Sequence, residues 1–121
     1  MRVMVLVKAT EDSEKGILPP PELFKEMDDF NDQLKAAGVL REAAGLKSSS
    51  EGKRIVFEGD SRSVRNGPFG LTKELVAGFW IWNVKNMDEA EAVDWVKRCR
   101  NPMRGKSEIE IRPFDEMSDK N

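Results

Sequence analysis

The chain has no histidine and no tyrosine among its 121 residues, and one cysteine, Cys99. Without histidine, neither a Ser-His-Asp nor a Cys-His nucleophile can be assembled within it. A His-based zinc or iron site is excluded too, and a single thiolate does not replace one. No metal and no cofactor is therefore expected. One cysteine cannot form an intrachain disulfide, and a cytoplasmic location is the simplest inference. No apolar run approaches the length of a membrane span, so no membrane partner is expected. The opening Met1-Arg2-Val3-Met4 lacks a following small-residue cleavage site and does not read as a signal peptide. Neither charge sign dominates: the net charge is −2. With no aromatics interleaved among the basic residues, this argues against nucleic acid. Proton transfer is left to Asp, Glu, Lys and Cys99.

What is present fits one folded domain, expected over 1–114, with a polar, frayed tail at 115–121. Hydrophobic residues make up 39% and charged residues 35%, a globular balance. A strand is expected at 2–8, then a polar loop at 9–20 ending in Pro19-Pro20-Pro21. Proline in its first turn and Gly38 past its end bracket a helix at about 21–37. Leu23, Met27, Phe30, Leu34 and Ala37 recur at helical spacing and form its core stripe. A strand at about 39–47 leads to an exposed loop at 47–53. Strands at about 54–58 and 61–65 flank a Gly59-Asp60 hairpin turn. A strand at about 78–84 follows. Asp88 is read as capping a helix to about Cys99, with Glu91 placed for a capping box. A last strand is expected at about 107–113.

The densest signal is Asn66-Gly67-Pro68-Phe69-Gly70-Leu71-Thr72-Lys73-Glu74, running into Leu75-Val76-Ala77-Gly78-Phe79-Trp80. Asn and Gly tolerate left-handed backbone angles, and Pro68 fixes its own φ and donates no hydrogen bond. The segment is thus a shaped loop, with Phe69 as its apolar anchor. Thr72 is placed to cap a helical turn carrying Lys73 and Glu74. The plain alternative is a structural turn with a solvated charge pair.

Gly67, Pro68, Phe69, Thr72, Lys73, Glu74, Gly78 and Phe79 resemble the signature of YCII-related proteins of the DGPF type. The opening strand, the Ala37-Gly38-Val39-Leu40 junction, the helix from Asp88 to Cys99 and Glu108–Pro113 extend the resemblance over nearly the whole chain. The leading Asp of the type is Asn66 here, which carries no charge but serves a turn role equally. The resemblance implies a dimeric α+β barrel. The wider family is thought to use a His-Asp pair, which a chain without histidine lacks. DGPF-type proteins are often associated with alternative sigma factors, which implies a regulatory or partner-binding module as the alternative to a cofactor-free enzyme.

The element order matches a ferredoxin-like α+β antiparallel sheet with two helices on one face and an added hairpin. Val3, Val5 and Val7 point to one face of their strand, and Met4 and Leu6 to the other. Phe79 and Ile81 oppose Trp80, Trp82 and Val84 in the same way. Both faces are apolar, yet two helices cover only one. Burying two tryptophans contributes on the order of 3 kcal/mol or more. The second face is therefore expected to meet another subunit in a homodimer, unless the loop at 47–53 and the hairpin fold over it.

Cavities of such a dimer would be mainly apolar with a few polar groups. Phe69, Trp80, Trp82 and Met4 or Leu6 are candidate walls, although for both tryptophans a core role is favoured over a ligand platform. Arg62, Arg65, Asn66, Lys73 and Glu74 are candidate polar groups, beside the loop residues Gly67 and Pro68. Lys73, Glu74 or Asp60 would carry acid–base work. Neighbours on an extended segment point opposite ways, so one of Lys73 and Glu74 lines a given pocket. Lys73 suits a small anionic substrate or a developing enolate, or else it snorkels at the surface. Cys99 lies near Lys97, Arg98, Arg100, Arg104 and Lys106, which would lower its pKa. It also shares a stripe with Ala92 and Val96, where a buried filler role is favoured.

Overall fold

The computed structural model describes residues 1–70, 72–88 and 91–116. Four strands, β1 (Arg2–Lys8), β2 (Leu40–Gly45), β5 (Val76–Asn83) and β6 (Ile109–Pro113), form one sheet in the order β2-β5-β1-β6. All its pairings are antiparallel. Strands β3 (Lys53–Glu58) and β4 (Ser61–Asn66) form a separate hairpin. The helices are α1 (Glu11–Glu14), α2 (Pro21–Ala36) and α3 (Ala92–Arg98). With the hairpin and α1 set aside, the β1-α2-β2-β5-α3-β6 order is the ferredoxin-like arrangement read from the sequence.

Register decides which faces meet. Val3 pairs with Trp82, and Val5 with Trp80 and Ile111, so all of these share one face. Phe30 and Leu34 of α2 and Trp95 of α3 close over it, and each is buried. The Phe30 ring meets Trp80, Trp82 and Trp95 edge-on, with centroids 6.0, 6.3 and 6.2 Å away. Such contacts add about 0.5–1.5 kcal/mol each to plain burial. The tryptophans are thus covered within the chain. The face without helices carries Met4, Leu6, Phe79 and Ile81, all half-buried, paired as Met4 with Ile81 and Leu6 with Phe79. The hairpin does not pack over this face: Phe57 and Val64 stay 69% and 60% exposed.

Several expectations change in detail. Helix α2 has Pro21 in its first turn and stops before Gly38, whose φ is +73°. Ala37, expected in its core stripe, is exposed because the helix has already ended there. The loop at 9–20 contains α1, which has no apolar stripe and forms through capping. Thr10 Oγ1 accepts from the Ser13 N–H, and Ser13 Oγ accepts from the Thr10 N–H. Helix α3 begins at Ala92, later than the expected Asp88. Glu91 occupies its N-cap without a side-chain cap, and the Asp88 carbonyl accepts from the Glu91 and Val93 N–H groups. Of the expected tail at 115–121, residues 117–121 lie outside the described residues. Among the described residues, no helix is long and apolar enough to cross a membrane.

Candidate functional site

The loop from Asn66 to Glu74 is built around Ser49. A Cβ on Gly67 would fall 1.6 Å from the Ser49 carbonyl oxygen and 2.6 Å from its carbon, so only glycine fits. The Gly67 N–H donates to the Gly52 carbonyl at 3.0 Å. Next, the Phe69 N–H donates to Ser49 Oγ at 3.2 Å, and Ser49 Oγ donates in turn to the Glu14 carboxylate. The Ser49 N–H donates to the same carboxylate at 2.9 Å. A half-buried Glu14 on α1 therefore clamps the 49–51 turn and the signature loop together. Charge-assisted bonds of this kind are roughly twice as strong as neutral ones. Phe69 is anchored as expected, half-buried with the Arg54 guanidinium 4.1 Å above its ring.

Asn66 does something other than expected. Among the described non-glycine residues none has a positive φ, and Asn66 is the last residue of β4. Its Oδ1 accepts from Lys53 Nζ at 2.7 Å, tying the hairpin at its base. The left-handed angle of the loop belongs to Gly70, at φ +86°. Thr72 lies inside the single 3-10 turn Thr72–Glu74, past the cap position assigned to it.

The candidate residues divide among separate clefts. Lys73 lines one of about 290 Å³ with Lys8, Thr10, Lys106, Ser107 and Glu108. Glu74 lines another, with Phe69, Arg54 and Ser49. Both are exposed, and they diverge because successive residues of the 3-10 turn Thr72–Glu74 project about a third of a turn apart, not because the segment is extended as expected. Arg65 is exposed on β4, directly across from Arg54, and Asp60 sits in the exposed hairpin turn. Trp80 is 4% exposed and donates from Nε1 to Asn31 Oδ1 at 2.8 Å. It is a core residue that also walls a third cleft, of about 360 Å³, with Val7, Leu23, Met27, Asn31 and Met103. Pro68 is exposed beside Gly67, at a cis peptide bond.

The YCII-related domain model matches residues 1–115. The chain belongs to the YCII-related family. No curated protein matches it.

For this YCII-related chain, sequence reasoning missed Glu14, Ser49, Asn31 and Lys8, and grouped Lys106 with the cations around Cys99 instead of with Lys73. Glu14 and Ser49 sit in segments read as polar loops, and nothing in their spacing announces a contact across 35 residues. Asn31 was legible in principle, as a polar residue next to Phe30 on the core-facing side of an amphipathic helix. The lysines come from three separate segments that only the sheet brings together. Cys99 also departs from its electrostatic reading. Burial pushes its thiol up to about 11, so the neighbouring cations do not lower it. Two of those cations are engaged elsewhere: Arg98 with Asp94 at 2.6 Å and Arg100 with Glu26 at 2.8 Å.

Proposed function

We propose that this YCII-related protein binds a small, mainly apolar molecule in the cleft between α2 and the β2–β5 edge. The observation that carries this reading is the unspent amide of Asn31. Its oxygen accepts from Trp80, while no described residue accepts from its Nδ2. The amide is thus locked in orientation with its donor left over, in a cleft otherwise lined by Leu23, Met27, Trp80 and Met103. Apolar walls with one oriented polar group are what small-molecule sites use for affinity and orientation. The ligand expected is a flat apolar body bearing one hydrogen-bond acceptor. Thermal shift across such compounds should give hits that Ala43→Leu, which fills the cleft from its rim, abolishes without lowering the unliganded Tm by more than a few degrees. Hits that survive Ala43→Leu would place binding elsewhere.

A second reading rests on the convergence of Lys8, Lys73 and Lys106 around one cleft, beside Glu11 and Glu108. That arrangement suits a small anion, with Lys73 as the charged contact. Stabilisation by a small carboxylate or phosphate that disappears in Lys73→Ala supports it; an unchanged response removes Lys73 from the site. Lys73 and Glu74 do not face each other, so an acid–base role would use one of them alone. We also propose that the half-buried Met4, Leu6, Phe79 and Ile81 face is covered by a second copy in a homodimer.

A further inference from the structure

The Asn31 cleft does not end at Met103. Pro19, Pro102 and Met103 wall it and also wall a smaller cleft of about 140 Å³, which Asp12 and Arg104 line as well. Asp12 is half-buried and Arg104 exposed. Among the described residues, neither side chain has a hydrogen bond or an ion pair, with the other or elsewhere. Arg98 and Arg100, a few residues earlier, are both paired with carboxylates. The backbone that carries the two free charges is pinned. Asn101 Oδ1 accepts from the Met103 N–H at 2.9 Å and from the Ser107 hydroxyl at 2.6 Å. Asn101 Nδ2 donates to the Gly105 carbonyl at 2.8 Å, so one side chain holds the turn bearing Met103 and Arg104. Asp12 sits in α1, fixed by the reciprocal Thr10–Ser13 bonds, and its own carbonyl accepts from the Ile17 N–H at 3.0 Å. The Thr10 hydroxyl donates to Met103 Sδ at 3.5 Å and ties the two walls together.

We infer that the joined clefts take an aromatic α-amino acid with an oxygen at the far end of its ring. This rests on the Asn31 reading above and adds the ligand's head group to it. The α-ammonium faces the Asp12 carboxylate, and the α-carboxylate faces the Arg104 guanidinium, whose planar fork matches it. The ring lies among Leu23, Met27 and Trp80, where a thioether packs well against an aromatic edge. The ring oxygen accepts from Asn31 Nδ2, the donor that the bond to Trp80 leaves over. An opposite pair of charges that line one cleft without meeting selects for a ligand carrying both. A monoanion would be repelled by Asp12 and a monocation by Arg104, so each wrong ligand meets a penalty as well as a lost contact. The apolar walls act on the side chain in the same way: a polar one would lose its water and gain no partner.

The test is titration calorimetry on the full chain near neutral pH with four probes. They are L-tyrosine, tyramine (no carboxylate), p-hydroxyphenylpropionate (no ammonium) and p-cresol (neither). Tyrosine should bind at least tenfold more tightly than each of the others. Arg104→Gln should remove its advantage over tyramine and keep its advantage over p-hydroxyphenylpropionate; Asp12→Asn should do the reverse. Both variants should keep the wild-type far-UV spectrum and Tm, since neither side chain has a partner to lose. Either truncated probe binding as tightly as tyrosine overturns the inference, and so does tyrosine affinity unchanged in both variants. If p-cresol binds, Ala43→Leu blocks it and tyrosine does no better, the Asn31 cleft stands and the amino-acid inference falls. No binding by any of the four also overturns the inference, and the thermal-shift screen then decides the cleft by itself.

Discussion

Gly67 and Cys99 show how much of the behaviour of single residues is set by neighbours far off in sequence. The Gly67 Cα lies against the Ser49 backbone, and backbone cannot move aside as a side-chain end can. Gly67→Ala should therefore cost about 2 kcal/mol or more, as overpacking does, and lower Tm by several degrees in a thermal melt. Gly70→Ala tests a different cause, a left-handed angle with open space around it, and should cost about 1 kcal/mol. Equal losses would mean that the Ser49 contact is not what demands glycine at 67. For Cys99, the folded thiol is raised by burial to about 11 from its ordinary 9.0. The native state holds this proton more tightly than the unfolded state does. Its contribution is thus complete below pH 9 and is lost as pH rises through about 11. Alkylation of native protein should be slow at pH 8 and speed up only towards pH 11, whereas urea-unfolded protein should react readily near pH 9. Equal rates at pH 8 would show an exposed, ordinary thiol.

At the scale of elements, the aromatic junction of α2, α3 and β5 ties the two helices to the sheet. Trp82 is fully buried, and Phe30 touches three tryptophans at once. Trp82→Ala should cost about 3–5 kcal/mol, enough to unfold much of a domain this small near 37 °C; a loss below 1 kcal/mol in urea titration would contradict the packing described. Strands β1 and β5 were legible as unbroken apolar runs of strand length, and α2 because its apolar residues recur at helical spacing between Pro21 and Gly38. Helix α1 was not. Its four residues form through the reciprocal Thr10–Ser13 bonds, a local device without hydrophobic periodicity. Helix α3 was read too long, because Asp88 and Glu91 offered a capping box that the chain does not use in that form.

At the scale of the molecule, the proposed homodimer rests on the sheet face that the helices leave uncovered. Ile81 lies in the middle of that face, directly opposite Met4 of β1, so Ile81→Arg should put a charge into any sheet-to-sheet contact. Sedimentation should then report a monomer with native far-UV ellipticity. A dimer of unchanged affinity would show that the face is not the interface. The candidate site was less legible than the fold. Asn66 to Glu74 stood out in sequence, and its loop does shape the chain's path into β5. The structure nevertheless sends Lys73 and Glu74 into different clefts, leaves Arg65 on the hairpin, and turns Trp80 into the core. Contiguity along the chain implied a single site, and the turn at Thr72–Glu74 together with strand alternation dispersed it.

The sequence by itself determined the family, the ferredoxin-like order of elements, the two apolar faces of β1 and β5, and the exclusion of histidine-dependent chemistry. These depend on residue type and local periodicity, which need no partner to be read. Only the tertiary structure decided which face the helices cover, and that Glu14 and Ser49 hold the signature loop. It alone oriented Asn31 against Trp80 and left the hairpin's apolar side uncovered. Each of these depends on contacts between segments far apart in sequence, and the pairing register that creates them is a property of the assembled sheet.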